Sequence, residues 1–142
     1  MRDPATLFLI SAVGCALGAM VWGIQMAMSG DHLLAPAHAH LALVGWVTLS
    51  LFAIYYRLTP AANAAILARV HAAIALAGLA SMAPGIAIAV QGGTPVFASL
   101  GAILTLTSMA IFFVTILRHG FAAGSVAAGQ AVMRQAASTA VR

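Results

Sequence analysis

The sequence predicts an all-α membrane protein built as a four-helix transmembrane bundle. Of its 142 residues, 63% are hydrophobic and only 6% are charged, whereas soluble domains are about 25% charged. The mean hydropathy is +1.07. A chain of this composition cannot cover itself with polar side chains, so most of its surface must face lipid. The composition therefore excludes a water-soluble enzyme and makes the lipid bilayer the first predicted partner.

Four apolar runs, separated by short polar segments, are the predicted spans. They lie at about residues 6–28, 33–56, 70–90 and 96–117. Each run is close to the ~20 residues that a helix needs to cross the hydrocarbon core of a bilayer. Gly, Pro, Asn and Asp residues in the connections favour turns. We therefore expect one transmembrane domain over residues 1–118 and a flexible cytoplasmic tail over 119–142.

The distribution of arginines predicts how the bundle is oriented. The chain has six arginines, no lysine and two acidic residues, which gives a net charge of +4. The arginines lie at the two ends of the chain and beside the second connection, and the first and third connections have none. By the positive-inside rule, both termini and the second connection lie in the cytoplasm of a bacterial-type inner membrane. Six scattered arginines do not form the basic stripe that nucleic acid requires, so no nucleic-acid partner is predicted.

Two histidines in the second predicted span are the strongest candidates for chemistry. His38 and His40 lie near the start of this span, below the lipid headgroups. An ionisable residue inside a membrane is costly unless it is satisfied, and it is a functional candidate by default. At about 100° per residue, the two side chains diverge by about 200°. They are therefore expected to serve two different centres or two different neighbours, and not one ion.

The residues around this pair resemble a known family. The segment Pro36-Ala37-His38-Ala39-His40-Leu41-Ala42-Leu43-Val44-Gly45-Trp46 and the span's end, Tyr55-Tyr56-Arg57-Leu58-Thr59-Pro60, resemble subunit I of heme-copper oxidases and the related nitric oxide reductases. In that family an HxH helix lies between two hemes, and each histidine ligates one of them. The family subunit has twelve helices in three arcs of four. This chain resembles a single arc.

The resemblance implies a cofactor and an assembly. A homotrimer of this chain would rebuild the ring of twelve helices, and His38 of one copy and His40 of the next would ligate one heme b through neutral imidazoles. Trp46 would line the heme edge, and His32 would bond a propionate. Such a protein would transfer electrons to a redox partner that the sequence does not identify, or it would bind a small gas if one axial position were open.

The chain departs from the family at the copper centre. That centre needs further histidines on the family's later helices, and the third predicted span here offers only His71. His71 follows Arg69 closely, so it is expected at the cytoplasmic edge, about 15–20 Å from the histidine pair along the membrane normal. No copper centre is predicted, and oxygen reduction is not expected. Whether the protein is an enzyme is left open by the sequence.

Several alternatives remain. The protein could be a cofactor-free structural or assembly subunit of a respiratory complex, in which the histidines bond across helices. A copper- or zinc-handling role for His38 and His40 is a weaker third option. Among the other residues, His32 beside Asp31 is expected to form a solvated loop pair. Tyr55 and Tyr56 are expected in the aromatic belt at the membrane interface.

Overall fold

The computed structural model describes residues 3–121 and Met133, and this part of the chain is almost entirely helical. Its helices in chain order are α1 (Pro4–Ser29), α2 (Ala35–Leu58), the short α3 (Pro60–Ala64), α4 (Ile66–Val90) and α5 (Val96–His119). All except α3 are long and apolar enough to cross a membrane. The chain is thus a multi-pass membrane protein with four candidate spans. The predicted tail over 119–142 lies almost wholly outside the described residues.

The ends of the helices follow ordinary capping chemistry. Asp3 precedes α1, and its carboxylate accepts a hydrogen bond of 2.7 Å from the backbone N–H of Thr6. This bond holds the pKa of Asp3 below its ordinary value, because it stabilises the ionised form. Gly30 ends α1 with a φ of 68°, the left-handed conformation that glycine adopts without strain.

The second connection is shorter than expected, because α3 occupies part of it and α4 begins at Ile66.

A stretch of π-helix interrupts α2 immediately after the histidine pair. It covers Leu41–Thr48, and the Thr48 hydroxyl donates a 3.0 Å hydrogen bond to the Leu43 carbonyl five residues before it. Gly45, in this stretch, is buried against α1 and α4. A Cβ at Gly45 would lie 2.8 Å from the Cβ of Cys15 and 3.3 Å from Leu79. The wider turn changes which side chains share a face of α2, and such stretches are frequent at functional sites.

Glycines bring α4 and α5 into close backbone contact. A Cβ added at Gly101 would collide with the backbone of Met82, and one at Gly85 would collide with the backbone of Ala98. The Ser81 hydroxyl donates a 2.8 Å hydrogen bond to the Phe97 carbonyl across the same contact. Such packing holds helices together in lipid, where hydrophobic burial between them is worth little. Pro84 lies inside α4, which continues beyond it to Val90.

All four spans meet in an aromatic core at one end of the bundle. The core contains Phe8 of α1, Phe52 and Tyr56 of α2, His71 of α4 and Phe112 of α5. The ring centroid of Phe52 lies 5.4 Å from that of Phe8 and 4.5 Å from those of His71 and Phe112. We call this half of the bundle the arginine end, because Arg57, Arg69 and Arg118 belong to it.

The glycine contact predicts a large effect of a single methyl group. We expect Gly101→Ala to destabilise the protein by about 2 kcal/mol, because its Cβ would meet backbone that cannot move aside. Gly14→Ala is the control, since nothing lies within 4 Å of its added Cβ. Free energies of unfolding measured in bicelles would test this. Equal stabilities of the two variants would contradict the close contact between α4 and α5.

Candidate functional site

His40 faces outward from the bundle and has a defined tautomer. Its Nδ1 lies 2.8 Å from the carbonyl oxygen of Pro36, and the side chain is exposed. A carbonyl only accepts hydrogen bonds, so Nδ1 carries the proton and donates it. In the neutral ring, Nε2 therefore keeps its lone pair and points away from the backbone bond. This is the arrangement that metal-ligating histidines adopt, with one nitrogen anchored and the other available.

His38 lies on another side of α2, against α1. Its Cε1 would be 3.2 Å from a Cβ at Gly23, so any larger residue at this position would press on the ring. The ring meets Trp22 edge to face, with centroids 6.4 Å apart. Nδ1 of His38 is buried and has no hydrogen-bond partner in the described part of the chain. The two histidines therefore meet different surroundings, and His38 is left with an unsatisfied nitrogen.

A shallow apolar groove of about 390 Å³ runs along α1 and α2 beside His38. It is lined by Ala16, Ala19, Met20, Gly23, His38, Ala42 and Trp46. All of these except Met20 are small or flat. Trp46 is 41% exposed, so the groove opens toward lipid or toward a partner. Small residues on both helices let a flat group lie close to the backbone. The groove therefore brings Trp46 and His38 together, while His40 lies on a different face.

The connection between α1 and α2 offers few groups that could hold an anion. His32 is exposed, and its Nδ1 donates to the Gly30 carbonyl at 3.0 Å. The expected pairing with Asp31 is absent from the described contacts, because the Asp31 carboxylate accepts from the backbone N–H of Leu33 instead. Since Nδ1 carries the proton in neutral His32, the ring donates to a carboxylate only after Nε2 is protonated. Gln25 and Ser29 line a polar groove nearby.

His71 is the site residue whose environment the sequence did not predict. It lies near Arg69 along α4, as the sequence requires, but its side chain is fully buried within the bundle and does not face the surface there. Tyr56 Oη lies 2.9 Å from its Nδ1, and Ser108 Oγ lies 2.9 Å from its Nε2. Both hydroxyls can donate or accept, so either neutral tautomer is fully satisfied. No sequence pattern marked this chain of three residues, because its members are far apart along the chain.

The two tyrosines near the end of α2 also differ from expectation. A position in the aromatic belt is wrong for both, since Tyr55 is 4% and Tyr56 0% exposed. The Tyr55 hydroxyl donates at 2.9 Å to the carbonyl oxygen of Gly120, just after α5. Consecutive tyrosines at the end of a membrane helix usually indicate an interface. Here they anchor α2 to the neighbouring helices.

Within residues 3–121, no three His, Cys, Asp or Glu side chains come together as a set of metal ligands. His38 and His40 point to different surroundings, and His71 is occupied by Tyr56 and Ser108. A metal site built from protein ligands alone in one copy is therefore not formed by this part of the chain. The arrangement instead offers single imidazoles, and among those of His38, His40 and His71 only that of His40 is exposed.

The buried hydrogen-bond chain predicts that His71 is essential for stability. We expect His71→Ala to destabilise the protein by about 3–5 kcal/mol, because it opens a cavity and leaves the Tyr56 and Ser108 hydroxyls unpaired. His119→Ala is the control, because His119 is exposed at the end of α5. Unfolding in bicelles would measure both. A loss below about 1 kcal/mol for His71→Ala would show that its hydrogen bonds contribute little.

No family model, no curated protein and no solved structure matches this chain. The resemblance to the oxidase subunit therefore rests on the sequence of the second span and its borders, residues 36–46 and 55–60.

Proposed function

We propose that this chain is a membrane heme b protein for electron transfer or small-gas binding, in which His38 and His40 supply axial imidazoles. The observation that carries the proposal is the geometry of His40. Its Nδ1–H is anchored on Pro36, and its Nε2 lone pair faces outward from a transmembrane helix. An imidazole nitrogen exposed to hydrocarbon loses its hydrogen bonds to water and gains nothing in return. An iron ion bound at Nε2 would offset that cost.

The surroundings of His38 support the same function. Its Nδ1 is buried and makes no hydrogen bond with any described residue, so the surrounding helices do not fix this ring as Pro36 fixes His40. The groove beside it is apolar, borders Trp46 and is lined by small residues, which suits the face of a flat macrocycle. When bound, heme b would supply a reversible one-electron couple of iron or, with an open axial position, a site for a small gas. The protein's part is to hold the imidazoles and to exclude water.

The divergence of the two histidines favours an assembly of several copies. A single heme cannot be ligated by both imidazoles of one α2, because they lie on different sides of that helix. In a ring of three copies related by threefold symmetry, every interface would pair His38 of one copy with His40 of the next. Such a homotrimer would resemble the ring of the oxidase subunit. It would lie in a bacterial-type inner membrane with its arginine ends and both termini in the cytoplasm.

One observation favours the alternative of a cofactor-free structural or assembly subunit. The connection between α1 and α2 carries Asp31 and no arginine, so it provides no permanent cation for the two heme propionates. In a cofactor-free protein, the exposed Nε2 of His40 would instead accept a hydrogen bond from a partner subunit. The two functions differ in whether the purified protein is coloured.

The heme proposal predicts a visible absorption spectrum that depends on both histidines. We expect the purified full-length protein to show a Soret band and, after reduction, a sharp α band. His38→Ala and His40→Ala should each abolish this spectrum or convert it to a high-spin form, because each removes an axial ligand. His119→Ala is the matched control and should keep the wild-type spectrum. Colourless wild-type protein, or wild-type spectra in both variants of the pair, would refute the proposal.

The assembly proposal predicts the mass of the particle. We expect native mass spectrometry of the detergent-solubilised protein to find three times the mass of one 14.4 kDa chain, plus bound heme. His40→Ala should weaken the trimer, because an iron shared between copies also links them. If a single copy still carries heme, the two axial ligands are not contributed by two adjacent copies, and the assembly proposal is wrong.

A further inference from the structure

The buried chain of Tyr56, His71 and Ser108 ends beside a small, partly enclosed cavity. The cavity lies among α2, α4 and α5 and measures about 10 Å³. This is about the volume of one water-sized sphere. Three of its lining residues, Thr48, Thr105 and Ser108, carry hydroxyl groups, and the others are apolar. A cavity of this size holds a water molecule when two to four polar groups converge on it.

The hydroxyl of Thr105 is the group that lacks a partner. Its Oγ1 is buried and makes no hydrogen bond with any described residue. A threonine in a membrane helix usually satisfies itself on the carbonyl one turn earlier, as Thr107 does on Ile103 at 2.8 Å. Thr105 does not, although the same helix offers the same kind of bond. Thr105 lines the cavity, and its Oγ1 also lies toward α4, 3.0 Å from where a Cβ would stand at Gly78.

The other two hydroxyls retain hydrogen-bonding capacity. Ser108 Oγ bonds His71 Nε2 through either its proton or one of its lone pairs. Its other hydrogen-bonding positions stay available. Thr48 donates its proton to the Leu43 carbonyl, so its oxygen can still accept. A molecule that both donates and accepts can therefore bond all three. Water does so, whereas an apolar occupant would satisfy none of them.

We infer that this cavity binds one structural water molecule that bridges Thr105, Ser108 and Thr48. The water extends the Tyr56–His71–Ser108 chain by one link and brings the π-helical stretch of α2 into the same hydrogen-bond network. It also satisfies the hydroxyl of Thr105 without a change in any helix. The cavity lies between the arginine end and the middle of the bundle. Water binding there does not depend on whether heme binds near His40.

Water-edited solid-state NMR of the full-length protein in lipid vesicles tests this binding site. Magnetisation that starts on water should reach the Thr105 side chain early in the mixing period, close to the rate for the exposed connection residue Thr94. Thr107 is the internal control, because it lies two residues away on α5 with its hydroxyl bonded to its own helix. Transfer to Thr105 as slow as transfer to Thr107 would overturn the inference.

A pair of isosteric variants provides a second, independent test. If a water molecule is bound, Thr105→Val removes one of its partners and should lower the melting temperature in bicelles. If the cavity is dry, the same substitution removes an unpaired hydroxyl and should raise the melting temperature. Thr107→Val serves as the control for the general cost of replacing a threonine on α5. A melting temperature of Thr105→Val at or above that of the wild type would overturn the inference.

Discussion

The double hydrogen bond of the His71 imidazole is the interaction on which the rest of the bundle depends. Tyr56 of α2 and Ser108 of α5 each lie 2.9 Å from one nitrogen of a ring that α4 holds in the core. In lipid, hydrophobic burial does little to bring helices together, so packing and polar contacts must do so. A buried imidazole left unpaired would be expensive. The network therefore sets the level at which three spans meet, and the rings of Phe8, Phe52 and Phe112 close around it.

This arrangement divides the bundle into two halves with different properties. The arginine end is closed by aromatic rings and by hydrogen bonds between helices. At the opposite end, α1 and α2 meet through small residues and leave a groove beside His38. The close glycine contacts between α4 and α5 stiffen the side of the bundle that these two helices form. A rigid base thus presents the exposed imidazole of His40 and the half-buried imidazole of His38 near the opposite end of the bundle.

The histidine pair is only half satisfied in a single copy. His40 has one nitrogen anchored and one facing outward, and His38 has a buried nitrogen without a partner in the described residues. Unmet hydrogen bonding of this kind is tolerated in membranes where a cofactor or another subunit completes it. The same physical feature supports both candidate functions. Heme ligation and subunit contact differ in what would meet the outward-facing nitrogen of His40, and not in the geometry of the helix that presents it.

The sequence alone determined the fold class and the divergence of the two histidines. A hydrocarbon core about 30 Å thick requires backbone hydrogen bonds within each span, so apolar runs of sufficient length become helices. Two residues of separation on a helix turn the imidazoles away from each other. The burial of His71, Tyr55 and Tyr56 was decided by the tertiary structure. In a membrane nearly every face of a helix is apolar, so periodicity does not reveal which face meets a neighbour, and only the packing of four spans around one imidazole settled it.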